Sequence, residues 1–365
     1  MSPSADSTNV NGNGVATPLL PEITRQRLEK AGIDLSKGYP QKPNRQVQYQ
    51  DPSGRDHSQP YIDAGSRADK EKRSLLSAAT GVIHLTKHIG TEITGLQIKD
   101  LSNQQRDELA LLIAERGVVF FRDQDITPQQ QHELADYYGE PEVHPVAPHV
   151  PGVPSASVIW PDYQATESEA SFRRPGGVSG WHTDLALGHD KRPAGISHLH
   201  NDAVPTIGGD TLWSSGYCAY EKLSPSFRKF IDGKKVIYRS AVAFIDSRNP
   251  EAGPKHVAMA ERIVGLDKAE SDLILGYLCD LYEKSVDIQV RFRWTPKTSA
   301  LWDNRVTIHV ASWDYEGSEP RHGTRATALA EQPYFDPKSP TRREALGLLG
   351  LSEIRELEEQ NSVSI

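Results

Sequence analysis

Apolar residues recur along the chain at two spacings, one typical of strands and the other typical of helices. Short stretches in which apolar and polar residues alternate, or in which apolar residues form a compact run, predict strands at residues 82–86, 92–98, 118–121, 196–199, 211–213, 236–244, 289–294, 299–303, 306–310 and 325–329. Most of these strands fall in the second half of the chain. The pattern therefore predicts a mainly β protein.

Two helices between the early strands carry start and stop signals. The first follows Ser102, a residue type that caps helix N-termini, and ends at Gly117. The second follows Thr127, with Gln130 completing a capping box, and ends at Gly139. These helices are expected to flank the strands rather than to form a bundle.

Later segments add peripheral structure. Helices are predicted near Ser224 and after Asp267, and an apolar stripe at residues 273, 274, 277, 278 and 281 is expected to pack into the core. Residues 140–174 contain several prolines and little periodicity, which predicts a long surface loop. With no internal repeat and no alternation of strand and helix, the sequence predicts an α+β fold built on a β-sandwich or jelly roll.

Composition divides the chain into three regions. Residues 1–80 are rich in Pro, Gly, Asn, Ser and charge, which predicts a partly disordered N-terminal extension in which residues 19–28 could form a short packed helix. Ordered structure is expected to begin near Gly81, with one domain over residues 81–340. Residues 341–365 are expected to form a C-terminal helical tail.

Charge and composition exclude several classes of function. The 365 residues carry a formal net charge of -8 and contain no long Lys/Arg cluster, so a nucleic-acid partner is not expected. The two cysteines, Cys218 and Cys279, are too few for a disulfide scaffold. The start has no apolar signal region and no window approaches ~18 apolar residues, which predicts a cytoplasmic protein without a membrane partner.

Candidate chemistry is concentrated in Trp181-His182-Thr183-Asp184. Side chains two residues apart on an extended segment point the same way, so His182 and Asp184 can bind one ion from one side. His309 is a candidate third ligand, because it alternates with Val306, Ile308 and Val310 and so points away from the apolar face. Two histidines and one carboxylate that leave other coordination positions open are the ligand set of non-heme Fe(II) oxygenases.

A His-X-Asp pair alone is weak evidence for a metal site, since such pairs usually make surface hydrogen bonds. Two other pairs, His189-Asp190 and His198-Leu199-His200, could also be proposed as ligands. We interpret them as loop and strand residues.

Six motifs together resemble the taurine dioxygenase (TauD/TfdA) family of Fe(II)- and 2-oxoglutarate-dependent dioxygenases, including fungal sulfonate dioxygenases. The resemblance runs from about Gly81 to Phe335, with the motifs in the family's order at compatible spacings. The motifs are Arg122-Asp123-Gln124-Asp125-Ile126-Thr127-Pro128, His144-Pro145-Val146, Trp181-His182-Thr183-Asp184, Gly208-Gly209-Asp210-Thr211-Leu212-Trp213, Leu301-Trp302-Asp303-Asn304-Arg305 and Arg325-Ala326-Thr327. The fold that the resemblance implies is a double-stranded β-helix, a cupin-like variant of the jelly roll.

The resemblance implies roles for individual residues. His182, Asp184 and His309 would bind Fe(II), and 2-oxoglutarate would chelate that iron as co-substrate. Arg321 would bind the far carboxylate of 2-oxoglutarate, and Thr211 would donate a hydroxyl hydrogen bond to it.

The same resemblance implies an anionic substrate. Arg325 and His144 would face its anionic head, although Arg325 is also an alternative to Arg321 as the partner of the 2-oxoglutarate carboxylate. Bacterial taurine enzymes have a Tyr where this chain has Ala147, and an Asn/Asp-rich segment where it has residues 176–180. Both changes remove polar groups that could meet an amino group, which implies an alkyl sulfonate range broader than taurine.

The implied reaction consumes O2 and 2-oxoglutarate and hydroxylates the carbon next to sulfur. Its products would be sulfite and an aldehyde, with succinate and CO2. An alternative keeps this chemistry on an aryloxyacetate, an alkyl sulfate ester or a purine such as xanthine. An alternative from another class is a non-catalytic binding protein braced by the metal, and homo-oligomer formation is left open.

Overall fold

The computed structural model describes residues 8–10, 16–42, 60–144, 147–161, 180–184, 192–245, 254–350 and 354. For residues 8–10, 16–18, 238–245 and 254–261 it describes the backbone alone. Among the described residues, none of the helices is both long and apolar enough to cross a membrane.

The described helices lie mostly around the strands. They are α1 (Glu22–Lys30), α2 (Arg73–Ala78), α3 (Asn103–Arg116), α4 (Pro128–Tyr138), α5 (Gly216–Lys222), α6 (Pro225–Ile231), α7 (Lys268–Lys284) and α8 (Arg342–Ala345). The predicted starts of α3 and α4 are confirmed, because Ser102 with Gln105 and Thr127 with Gln130 form capping boxes.

The described strands are more numerous than the helices. They are β1 (Thr8–Val10), β2 (Ala16–Pro18), β3 (Gly81–His84), β4 (Thr91–Thr94), β5 (Val118–Phe121), β6 (His149–Val150), β7 (Val153–Ile159), β8 (Ala194–Ala203), β9 (Thr211–Ser215), β10 (Val236–Ile245), β11 (Pro254–Ile263), β12 (Gln289–Phe292), β13 (Thr298–Asp303), β14 (Thr307–Ala311) and β15 (His322–Leu329).

Two sheets face each other and enclose the inner core. The large sheet has the order β3-β4-β5-β13-β8-β15-β7-β6 and the small sheet the order β12-β9-β14; β1-β2 and β10-β11 are separate pairs. Trp213 of the small sheet packs against Phe120 and Trp302 of the large sheet, with ring centroids 5.3 and 5.8 Å apart. The predicted mainly β, cupin-like jelly roll with flanking helices is confirmed.

Alternation along β5 separates the inner core from an outer one. Phe120 points between the sheets, whereas Phe121 joins Leu109 and Ile113 of α3 and Leu134 of α4 on the other face of the large sheet. Helices therefore cover the outside of the large sheet, which leaves the space between the sheets for a site.

Two predictions about local structure are wrong in part. The proline-rich residues 140–174 are not all loop, because they contain β6 and the largely buried β7. Pro154 of β7 precedes residues 157–159, which pair with β15, so its missing N–H breaks no hydrogen bond in that pairing. The stripe on α7 is core only in part, because Leu273 is 76% exposed and Tyr277 is 48% exposed, whereas Leu281 packs against the buried residues Cys218, Ala219 and Ile288.

Ordered structure also begins earlier than Gly81. Residues 19–42 and 60–80 pack onto the domain, with Leu28 and Leu75 fully buried. The helix expected within residues 19–28 is α1, three residues later. The division into residues 1–80, 81–340 and 341–365 stays a prediction. Within residues 341–350 of the predicted C-terminal tail, the described helix is α8.

Candidate metal centre

A short antiparallel bridge brings the three predicted ligands together. The backbone N–H of His182 donates to the carbonyl of His309 at 3.0 Å, and the reciprocal bond is 2.8 Å long. Asp184 follows two residues later, so its carboxylate reaches the same side as the His182 ring. One ligand atom from each of the three residues lies within 4.8 Å of the other two.

The two imidazoles are arranged as metal ligands require. The His182 Nδ1 lies 2.7 Å from the carbonyl oxygen of Gly180, so the proton belongs on Nδ1 and Nε2 keeps its lone pair. His309 is 7% exposed, and burial lowers its pKa to about 3, so this ring is neutral at physiological pH. Its Nε2 lies 3.8 Å from Asp184 Oδ1.

The Asp184 carboxylate is held by its neighbours in one orientation. Ser197 Oγ donates to Oδ2 at 2.7 Å, and Asn304 Oδ1 accepts the Asp184 backbone N–H at 2.9 Å. Asn304 Nδ2 in turn donates to Ser197 Oγ at 2.9 Å. Burial alone would raise the pKa of Asp184, but the charge of Arg325, with smaller contributions from both histidines, lowers it. Asp184 therefore offers an ionised oxygen to a metal ion.

Sequence reasoning missed this supporting pair. Asn304 lies in the quoted motif Leu301-Trp302-Asp303-Asn304-Arg305, which offered a signal, but no role was assigned to it. Ser197 lies in β8 with no local signal at all, because its importance depends only on what it faces.

Arg325 contacts the triad, and the charges of Arg325 and Asp184 both act on His144. Arg325 Nη1 donates to Asp184 Oδ1, which places a guanidinium next to the metal position. His144 Nδ1 accepts the backbone N–H of Ala147 at 2.9 Å, so its proton belongs on Nε2. Burial and, to a smaller extent, the Arg325 charge lower the His144 pKa to about 4, so this ring is a neutral donor.

Thr211 and Arg321 form a second group of buried polar side chains. Arg321 is 4% exposed, and its Nη2 lies 3.5 Å from Thr211 Oγ1. Trp294 Nε1 donates to the same oxygen at 2.9 Å. Because the oxygen accepts this bond, the hydroxyl proton of Thr211 is left to be donated elsewhere. Trp294 is a second residue that sequence reasoning missed.

The competing histidines lie elsewhere. His198 Nε2 and His200 Nδ1 are each 3.0 Å from Ser299 Oγ. They alternate with Ser197 along β8, so they point away from the triad, as expected of strand residues. The pair His189-Asp190, and also Pro145, Val146 and residues 176–179, lie outside the described residues.

The donor set fits ferrous iron. Two imidazoles and one ionised carboxylate from two segments match the ligand preference of Fe(II) oxygenases. Arg321 and Thr211 offer a separate cation and hydroxyl, which suit the far carboxylate of a dicarboxylic co-substrate.

Comparisons with known proteins agree with this geometry. The family model described as "Taurine catabolism dioxygenase TauD, TfdA family" matches residues 82–327. The "Alpha-ketoglutarate-dependent dioxygenase cnsM" of Penicillium expansum is 35% identical over 305 residues, which cover 75% of this chain and 84% of that protein. The "Alpha-ketoglutarate-dependent sulfonate dioxygenase" of Saccharomyces cerevisiae is 30% identical over 309 residues, covering 76% of this chain and 74% of that protein.

A solved structure gives the same result. The crystal structure of a taurine dioxygenase from Burkholderia xenovorans matches with a TM-score of 0.57 and 28% identity, covering 71% of this chain and 94% of that one. The family model spans all three residues of the triad, so fold, donor set and sequence similarity agree. The chain therefore belongs to the TauD/TfdA family and is an Fe(II)- and 2-oxoglutarate-dependent dioxygenase.

Proposed function

We propose that this dioxygenase hydroxylates the carbon next to sulfur in an alkyl sulfonate such as taurine. The observation that carries the proposal is the position of Arg325, whose guanidinium contacts the carboxylate of Asp184. A substrate anion bound by this cation would bring its adjacent carbon next to the metal. The products are sulfite and an aldehyde, with succinate and CO2 from 2-oxoglutarate and O2.

His182, Asp184 and His309 are proposed to bind the iron. Together with 2-oxoglutarate and O2, the bound iron supplies the oxidising chemistry that hydroxylates an unactivated C–H bond. Ser197 and Asn304 keep the Asp184 carboxylate oriented, and such supporting residues orient ligands and tune metal affinity.

Arg321 and Thr211 are proposed to hold the far carboxylate of 2-oxoglutarate. The assignment of Arg321 rather than Arg325 is supported by its distance to Thr211, since Arg325 contacts Asp184 instead. Both groups of this pocket are donors, and an arginine pairs with a carboxylate in bidentate geometry. The Thr211 hydroxyl, already an acceptor for Trp294, directs its own proton to the co-substrate.

The substrate anion is proposed to bind between Arg325 and His144. Arg325 supplies the positive charge, and the Nε2–H of neutral His144 supplies a directed hydrogen bond. A sulfonate has three oxygens and can accept from both groups at once. Ala147 offers no side-chain acceptor for a substrate amino group, which supports alkyl sulfonates beyond taurine.

The test is a substrate panel with two readouts. The wild-type enzyme is incubated with Fe(II), 2-oxoglutarate and taurine, pentanesulfonate, an alkyl sulfate ester, an aryloxyacetate or xanthine, and succinate and sulfite are quantified. We expect equimolar sulfite and succinate with at least one sulfonate. Succinate formation stimulated by the aryloxyacetate, the sulfate ester or xanthine, but by no sulfonate, would contradict the substrate class and leave the iron chemistry in place.

A substitution tests the anion site. Arg325→Met removes the charge but keeps a long side chain, so we expect the substrate KM to rise about 10- to 100-fold, the range for a lost charged contact. The 2-oxoglutarate affinity should stay within about twofold, because Arg321 is untouched. A variant that loses 2-oxoglutarate binding instead would reverse the assignment of the two arginines. A cytoplasmic location and homo-oligomer formation stay predictions.

A further inference from the structure

A buried polar network joins the N-terminal region to the catalytic domain. Helix α1 lies outside residues 82–327, the part of the chain that the family model covers, yet it packs on β8. From α1, Thr24 Oγ1 donates to Asp202 Oδ1 at 2.7 Å, and Arg27 Nη1 donates to Asp202 Oδ2 at 3.0 Å. Asp202 and Thr24 are fully buried. Two hydrogen-bond donors to the Asp202 carboxylate therefore come from a helix outside the region that the family model covers.

The network continues to the strand that follows Arg321. His322 Nδ1 lies 2.8 Å from Asp202 Oδ1, and the Tyr39 hydroxyl lies 2.6 Å from His322 Nε2. His322 is fully buried as well. The N-terminal region therefore holds both sides of this contact, Asp202 through α1 and His322 through Tyr39.

The backbone at this place is irregular. In the pairing of β15 with β8, His322 lies opposite Ala203 whereas Gly323 lies opposite Asn201, so Asp202 has no opposite residue. An extra residue of this kind is a β-bulge, which bends a strand and re-aims the side chains next to it. The strands also approach closely here, because a Cβ on Gly323 would lie 2.7 Å from the carbonyl oxygen of His200.

The irregularity lies directly beside the co-substrate pocket. Arg321 immediately precedes His322, and its guanidinium reaches Thr211 on the opposite sheet. A change in the twist of β8 and β15 at this point would swing the Arg321 side chain relative to Thr211. The triad is held at a distance from the bulge, through Ser197, five residues before Asp202 on β8, and through Asn304, so it would move less.

We propose that the N-terminal segment of residues 19–41 positions Arg321. The segment does so by holding the Asp202–His322 bulge in one conformation through the side chains of Arg27, Thr24 and Tyr39. This inference rests on the proposed function, in which Arg321 binds 2-oxoglutarate. Arg27 and Tyr39 are positioning residues, since neither contacts the pocket. Arg27 also ties the segment to Thr324 Oγ1 at 3.0 Å and to Gln131 Oε1 at 2.9 Å, so it connects α1, α4 and β15.

The test compares three variants of the full-length protein. Arg27→Met removes the arginine that pairs with Asp202, and Tyr39→Phe removes only one hydroxyl and is used if the first variant is poorly folded. Arg25→Met is the matched control, because Arg25 lies on the same helix but pairs with exposed Glu22 and Glu29. Two quantities are measured: the Kd of 2-oxoglutarate for the Mn(II)-loaded protein by calorimetry, and hydrogen exchange of β15.

We expect Arg27→Met and Tyr39→Phe to weaken 2-oxoglutarate binding about 2- to 30-fold, the range for mutations that act through a contiguous network. The Kd of Mn(II) alone should stay unchanged, exchange in β15 should accelerate, and Arg25→Met should match the wild type. A lower Tm with an unchanged 2-oxoglutarate Kd in both variants would overturn the inference, since the segment would then only stabilise the fold. Equal losses of Mn(II) and 2-oxoglutarate binding would overturn it as well.

A further variant separates this inference from the proposed function. Arg321→Met should abolish 2-oxoglutarate binding to the Mn(II)-loaded protein if Arg321 binds the carboxylate. Unchanged binding in this variant would refute the role of Arg321 and, with it, the inference. Lost binding in Arg321→Met, combined with unchanged binding in Arg27→Met and Tyr39→Phe, would refute the inference alone.

Discussion

Ser197 offers a way to weaken the metal centre without touching a ligand. Its hydroxyl donates to Asp184 Oδ2 at 2.7 Å and is itself held by Asn304 Nδ2 at 2.9 Å. Ser197→Ala removes one oxygen atom from a fully buried position. The Asp184 carboxylate would then lose the contact that fixes Oδ2 and, with it, the direction of Oδ1 toward His309.

The size of the effect can be worked from two independent arguments. A hydrogen bond to a charged group contributes about 1.5–3 kcal/mol. Loss of a residue that orients a metal ligand typically lowers metal affinity about 10- to 100-fold, equivalent to about 1.4–2.8 kcal/mol. The two ranges agree because the bond stabilises the same ionised, oriented carboxylate that the metal requires. We therefore expect a rise of about 10- to 100-fold in the Kd of Mn(II).

The assay is a Mn(II) titration followed by electron paramagnetic resonance, without 2-oxoglutarate, on protein whose folded fraction is known from circular dichroism. Ser214→Ala is the matched control, because Ser214 is also a fully buried strand serine but donates to the carbonyl oxygen of Tyr282 at 3.0 Å. Equal Mn(II) affinity in the two variants would show that the hydrogen bond from Ser197 to Asp184 does not contribute to metal binding.

Two further predictions follow from buried groups of the site. Trp294→Phe removes the hydrogen-bond donor to Thr211 Oγ1. The Kd of 2-oxoglutarate, measured by calorimetry, should rise about 2- to 10-fold, which corresponds to the loss of one neutral hydrogen bond. An unchanged Kd would contradict the role of the indole N–H. In metal-free protein, the His309 pKa is about 3, below the ordinary 6.5, chiefly because of burial, so the unfolded chain takes up a proton that the folded one does not. The free energy of unfolding, measured by urea unfolding, should therefore fall as the pH drops below 6.5, by about 1 kcal/mol between pH 6.5 and pH 5.5. His309→Gln should remove this part of the pH dependence.

Local signals were sufficient for much of the fold. The starts of α3 and α4, at the caps Ser102 and Thr127, were predicted correctly, because the residues that start a helix are only a few positions apart. Strands in the second half were located by alternation, which reports the face of the strand that is buried. The errors at β7 and α7 have one cause, which is that both outcomes depend on neighbouring elements. A proline in the sequence does not show whether a neighbouring strand needs its missing N–H, and an apolar stripe does not show how much of it another element buries.

The sequence by itself determined the ligand types and their immediate spacing. His182 and Asp184 are two residues apart, a spacing whose geometry is local. The alternation around residue 309 made His309 a candidate, and the resemblance of whole motifs added both arginines. These features depend on short stretches of chain, so they can be found without knowing which segments meet.

Only the tertiary structure decided which residues support the site. The Trp294 donor lies 83 residues from Thr211, and Arg27 lies 175 residues from Asp202. Each of these contacts depends on how strands and helices are arranged in space, and any one partner is an ordinary Trp, Arg or Asp in its own segment. Because a hydrogen bond depends on distance in space and not along the chain, no local pattern could have identified these pairs.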